Sequence, residues 1–354
     1  MKVVIIGAGV AGLGIGWRLA QAGQEVTVLE RAQPGSGASW AAAGMLAVTA
    51  ESLDATGVEI EFAKQSNLLW PDFAKDVEAA SGRTVGYSRA GAVILAEDET
   101  ALAKLSHAGT GGEIVDPLAA RRLVPMASGK LAGALWSPQE AQVDNRALSV
   151  ALAIAFQRAG GRLIANEAVV RIERRGERAA IAHTPFGLYH ADAFVLAAGA
   201  WSGLIEPGVA PITPVKGEMI ALTPHQGEAL PACVVWGHGI YAVPREGKLL
   251  IGATMENAGF DTQPTDAARD FLQGRAEALL PGLKDWTVTD HWAGLRPRSA
   301  DGLPLLGPTR VDGLWLAGGQ FRNGILFAPA IAQSLTAQLL GRAEAIPAFD
   351  PRRI

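Results

Sequence analysis

The sequence predicts an α/β chain: a mostly parallel, Rossmann-type domain that is discontinuous in sequence, with a second α+β domain built on an antiparallel sheet. Three observations carry this. The first thirty residues read strand, glycine turn, helix, strand. Two later apolar runs, at residues 193–198 and 314–317, stop on glycines, as parallel strands do where an open sheet presents its ligand crevice. Residues 85–142 and 211–255 instead hold short alternating runs of antiparallel character. The Rossmann-type domain is therefore expected over 1–84, 143–212 and 288–354, and the substrate-covering domain over 85–142 and 213–287.

Taken in order, residues 2–7 form a short apolar strand, and Gly7-Ala8-Gly9-Val10-Ala11-Gly12 is a GxGxxG turn. Residues 11–22 are helical, Gly23 stops the helix, and 24–29 rise again as a strand ending on Glu30. Each part has a task around a dinucleotide: Gly7 allows the tight turn, Gly9 admits the pyrophosphate, and Gly12 lets helix pack on strand. The helix start then offers its orphan N–H groups to phosphate. Glu30 is placed to accept from an adenosine ribose and repels a 2′-phosphate, which disfavours NADP. Residues 1–22 also imitate a secretory signal, with Lys2, an apolar run and Ala20-Gln21-Ala22. The placement of the glycines and the direct run into a second strand favour the nucleotide turn.

Residues 34–46, Pro-Gly-Ser-Gly-Ala-Ser-Trp-Ala-Ala-Ala-Gly-Met-Leu, are nearly all small. They suit equally a backbone lying against a flat ligand and the start of an alanine-rich helix. Residues 59–81 form an amphipathic helix, 97–106 an acidic one, 109–112 a glycine loop, and Asp116-Pro117 caps a short helix. Residues 144–159 are helical and end at Gly160-Gly161; 162–165 and 168–173 are strands, with a solvated hairpin tip at 173–178. Strands follow at 214–220, 241–245 and 249–255, a helix at 266–280, a strand at 314–319 and a last helix over 325–340.

A formal charge of −4 leaves no basic footprint for nucleic acid or anionic lipid, so small-molecule chemistry is favoured. No uninterrupted apolar run approaches the length that spans a bilayer. The single cysteine, Cys233, excludes an internal disulfide framework and points to a reducing, cytoplasmic setting. Six histidines lie scattered without HxxxH or HxH spacing, so no metal is expected.

A nicotinamide enzyme needs one glycine turn. Three small-residue strand ends, at Gly12, Gly199 and Gly318-Gly319, plus the small-residue segment, fit a longer ligand held extended through the molecule, and FAD has that shape. The last helix, starting just after Gly324, would turn its positive end toward the pyrimidine side of a flavin.

Together, the Gly7–Gly12 turn, Glu30, the segment 40–46, Val215-Lys216-Gly217-Glu218, Tyr241 with Val243-Pro244-Arg245, residues 292–297 and Phe321-Arg322-Asn323-Gly324 make the chain resemble the D-amino acid oxidase family of flavoproteins, in particular its thiamine-biosynthesis branch. The order matches from end to end. The resemblance implies non-covalent FAD touched by Val10, Ala11, Glu30, Arg31, Ser39, Ala43, Gly44 and Met45. It also implies Val169 at the adenine side and Gln320, Phe321, Arg322, Asn323, Gly324, Ile325 and Leu326 around the isoalloxazine. Arg296 would hold a substrate carboxylate with help from the Tyr241 hydroxyl, Arg322 would sit near the substrate, and Met255 would line the pocket. A planar guanidinium suits a carboxylate fork and stays charged when desolvated. Without the resemblance, Arg296 before a proline reads as structural, Arg322 as a loop salt bridge and Tyr241 as core. Two departures stand out: the family's histidines are Gly239 and Gln320 here, which bears on amine-side selectivity and not on the carboxylate anchor.

The implied activity is oxidative deamination of a small amino acid (glycine, sarcosine or a small D-amino acid) by hydride transfer to flavin N5. Its products are an imino or 2-oxo acid, ammonia and hydrogen peroxide from molecular oxygen. A hand-over of the imine to thiazole synthase and a homo-oligomeric assembly are further expectations. A dehydrogenase using a quinone, and a flavin-holding subunit of a larger complex, share the same motifs.

Overall fold

The computed structural model describes residues 1–51, 57–107, 111–127 and 130–354. Gly109 and Thr110 of the expected glycine loop lie outside the described residues. The first strand, Lys2–Ile6, is central in a six-stranded sheet, paired in parallel with Glu25–Leu29 on one side and Ala193–Leu196 on the other. Arg162–Ile164 closes one edge; Leu314–Gly318, then antiparallel Leu305–Pro308, close the other. All four interior residues of Lys2–Ile6 and Ala193–Leu196 are buried, which is why these runs are continuously apolar and show no alternation.

The helix Val10–Gln21 lies on this sheet because two glycines remove side chains where it must come close. A Cβ on Gly16 would sit 3.3 Å from Ile5, Val28 and Phe156, and one on Gly14 would sit 3.2 Å from Ala332 Cβ. The Gly14 contact seats the last helix, Ala328–Leu339. That helix begins later than its pattern suggests: Asn323–Phe327 form turns, with Phe327 N–H donating to Asn323 O, and Pro329 occupies the first turn, where a missing N–H costs nothing. The expected strand at 168–173 is also displaced. Arg171–Arg175 is an edge of a separate three-stranded sheet, pairing with Arg178–His183, which in turn pairs with Leu188–His190.

The second sheet has eight strands in the order Thr287–Ser299, Ile212–Thr223, Lys248–Gly252, Ile240–Arg245, Val234–Gly237, Ala92–Ala96, Gly133–Ser137, Glu113–Val115. It is antiparallel except where its two chain segments meet, Val234–Gly237 running parallel to Ala92–Ala96. No hairpin joins those two strands, so nothing forces them to oppose one another. Thr287–Ser299, which starts at the expected domain boundary at 287/288, pairs with Ile212–Thr223 along nearly its whole length and belongs to the second sheet. The Pro297 and glycine content of 292–297 hid a long edge strand, where proline is tolerated.

Phe156 is fully buried under the opening helix, and its ring fills the space a side chain on Gly161 would need. Phe156→Ala is expected to cost about 3–5 kcal/mol, read as a lowered urea midpoint at fixed cofactor concentration.

Candidate active site

The opening turn is glycine for steric reasons visible in its neighbours. Gly7 has φ +107°, and a Cβ there would lie 2.4 Å from Ala197 O; a Cβ on Gly12 would lie 2.0 Å from Gly7 O. The helix start is thereby drawn onto the ends of two strands. Gly9 caps the helix without a side chain, and Val10 N–H donates to Ser39 Oγ at 3.1 Å. The Glu30 carboxylate braces the turn, accepting from Ala8 N at 2.8 Å and Ala32 N at 3.0 Å, with lone pairs left over for a ribose. Arg31 stacks 3.5 Å over the Trp201 ring, and burial lowers its guanidinium pKa against the opposing pull of Glu30.

The small-residue segment includes a helix and continues as part of a cavity wall. Ala38–Ala41 is a short helix, and the chain then runs extended along a cavity wall. One continuous cavity is lined by every residue expected to touch the cofactor except Gly12 and Leu326. Gly12 acts from behind, through the close approach already described. The Leu326 carbonyl accepts from Ser66 Oγ at 2.6 Å and Trp70 Nε1 at 2.9 Å, and its side chain is core.

At the far end of the cavity stand Arg296, Tyr241 and Arg322. Arg296, opposite Val215 in the strand register, lies flat on Gly217, where a Cβ would sit 2.0 Å from its Nη1. Its Nη1 donates to Thr254 O at 3.1 Å. Removal from water pushes the Tyr241 phenol pKa up, with the neighbouring Arg296 opposing. Met255 falls outside the lining and is 61% exposed. Arg322 is ion-paired at 2.8 Å to Glu51, a lining residue that the sequence reading passed over; its only signal is a lone acid closing an apolar run. His238 and His291 lie away from the lining, and His291 Nε2 is engaged with Glu218 Oε2 at 2.8 Å.

The residues present fit a long flavin dinucleotide. Gln320 Nε2, buried in the cavity wall, has no partner among the described residues, nor do the Ala43 and Gly44 N–H groups. Residues 2–339 match the DAO family, described as FAD dependent oxidoreductase. The chain belongs to this family. It is 36% identical to glycine oxidase of Pseudomonas aeruginosa, with 99% of this chain and 97% of that protein aligned. It is 35% identical to the bifunctional protein ThiO/ThiG of Synechocystis, where it covers 99% of itself but spans only about half (54%) of the relative. Glycine oxidase of Geobacillus kaustophilus has the same fold, with a TM-score of 0.93 at 31% identity over 100% of this chain and 99% of that one.

In this FAD-dependent oxidoreductase, Cys233 is buried outside the cavity and its thiol is pushed up to about 11, which keeps it unreactive. Burial holds the Glu51 carboxyl above the usual carboxylate range, with Arg322 and then Arg296 opposing. Behind it, Glu140 accepts N–H bonds from Thr49 and Ala50 through Oε1, while Oε2 has no partner among the described residues. Burial pushes Glu140 up to about 7, against those N–H groups.

Two outcomes follow from this geometry. Gly217→Ala should displace the Arg296 guanidinium, raising KM for an amino acid at least tenfold while the flavin absorbance is unchanged; steady-state kinetics and the visible spectrum check this. For Glu140, the folded pKa exceeds the unfolded value of 4.5, so its favourable contribution is full below about pH 4.5 and is lost as pH rises through about 7. Glu140→Gln should therefore match the parent near pH 4.5 and exceed it by roughly 1–3 kcal/mol at pH 8, measured by urea unfolding at both pH values.

Proposed function

We propose that the chain oxidises a small amino acid, with glycine, sarcosine and small D-amino acids as candidates, to its imino acid. The observation that carries this reading is Arg296. It lines the cavity, where its Nη1 donates to the Thr254 carbonyl and its guanidinium lies beside the Tyr241 hydroxyl, and among the described residues no carboxylate pairs with it at contact distance, whereas Arg322 is ion-paired to Glu51. Arg296 is half-buried, and a planar guanidinium on a glycine platform takes a carboxylate with two parallel bonds.

FAD bound in this cavity would supply a hydride acceptor and, through molecular oxygen, a route to hydrogen peroxide. The chain's part is placement. Arg296 takes the carboxylate, the Tyr241 hydroxyl adds a donor beside it, and the raised phenol pKa keeps that donor protonated at neutral pH. With the carboxylate fixed, the amine must be neutral for its lone pair to assist loss of the Cα hydride. The enclosed cavity makes this orientation a large share of the rate. Water then cleaves the imine to a 2-oxo acid and ammonia.

The bifunctional ThiO/ThiG relative supports a hand-over of the imine to thiazole synthase, and a homo-oligomer in the cytoplasm is part of the same proposal. No helix among the described residues is long and apolar enough to cross a membrane. Anaerobic mixing with glycine, sarcosine or D-alanine should bleach the yellow protein, and peroxide should appear in air. Arg296→Ala should keep its FAD and lose at least a hundredfold in kcat/KM. Bleaching without peroxide would favour a quinone-linked dehydrogenase, and no bleaching by any amino acid a flavin-holding subunit.

A further inference from the structure

Where the 39–45 segment passes the cavity, its carbonyl oxygens are taken from behind by side chains. Asn145 Nδ2 donates to Ser39 O at 2.7 Å and to Trp40 O at 3.1 Å, Trp292 Nε1 to Ala41 O at 3.0 Å, and Arg245 Nη2 to Ala43 O. The last contact crosses between the sheets: Arg245 ends the strand Ile240–Arg245 of the eight-stranded sheet, and Ala43 belongs to the segment next to the opening turn. It also closes on Gly44, whose φ is +76° and where a Cβ would lie 2.0 Å from Val143 O and 3.0 Å from Arg245 Nη2.

In a trans peptide the C=O and N–H point in opposite directions. Holding Ala43 O on the Arg245 side therefore turns the Gly44 N–H away from it, and that N–H has no partner among the described residues while Gly44 lines the cavity. A charged donor on the carbonyl also polarises the peptide and strengthens its N–H as a donor. A neutral side chain could hold the oxygen equally well. Arg245 is instead a largely desolvated cation, lowered in pKa by burial and by neighbouring Arg146, with Asp144 opposing. Burying that charge is expensive if its only task is to anchor a loop.

We propose that Arg245 is a positioning residue for the flavin: it presents the polarised Gly44 N–H to acceptor atoms of the ring system and so stabilises the negative charge that reduction places there. The inference rests on FAD occupying the cavity and is independent of which amine is oxidised.

The test uses the FAD-loaded parent, R245K, R245Q and R245M, reduced chemically without substrate against a reference dye, with visible spectra recorded at full FAD occupancy. R245M should be reduced about tenfold less favourably, a midpoint about 30 mV lower, with an altered visible band. R245Q should fall between R245M and the parent, and R245K should lie near the parent. An unchanged midpoint and spectrum in R245M overturns the proposal, because a purely structural clamp would alter stability and leave the potential alone. If R245M does not retain FAD, R245Q decides, a parental midpoint overturning the proposal and a lowered one supporting it. An amine that fails to bleach the parent would count against the substrate reading and leave these midpoints interpretable.

Discussion

A backbone carbonyl buried between two sheets must find a donor or cost on the order of 1–3 kcal/mol. Residues 39–43 put a row of them there. Because those of Ser39, Trp40, Ala41 and Ala43 are met by side chains rooted elsewhere, in the helix Asn145–Arg158, the strand Thr287–Ser299 or the strand Ile240–Arg245, the segment is tied to both sheets. The cavity wall and the strand that carries Arg296 are thus parts of one hydrogen-bonded seam. Trp292 and Arg296 stand on the same strand, so whatever fixes the segment through Ala41 also fixes the strand that carries the anchor.

The same economy of backbone is visible at both ends of the cavity. At the opening turn, Gly7 and Gly12 let a helix start touch strand ends, and Glu30 spends its two carboxylate oxygens holding that turn. At the substrate end, Gly217 gives Arg296 a flat seat and Thr254 O fixes its edge. Both ends are thus shaped by backbone and glycine geometry as much as by side chains.

Much of this was readable from residue order because the relevant constraints are local. A GxGxxG turn between apolar strands, or a glycine closing a strand such as Gly199, carries its steric reason in the sequence itself. Glu51, Asn145 and Arg245 were not readable as site residues, since each acts on a partner far along the chain and an acid, an amide or an arginine in isolation has many uses. Met255, placed in the pocket by the family resemblance, lies past the end of the strand Lys248–Gly252 and is exposed, because the resemblance carries a residue's role and not the local strand end. The last helix began late for a local reason of another kind, a run of turns that helical periodicity imitates.

The order in which the strands lie bears on how the molecule comes into being. The first glycine turn is walled by Ala197, and the cavity it opens into is closed by Gln320–Ile325, more than three hundred residues further on, while the strand that carries Arg296 is made later than the one it pairs with. A nascent polypeptide that has only just extruded its phosphate turn therefore has nowhere to hold a flavin. Loading must wait until residues 320–325 have been made and folded against that turn, so coenzyme supply bears on maturation after this whole stretch is synthesised.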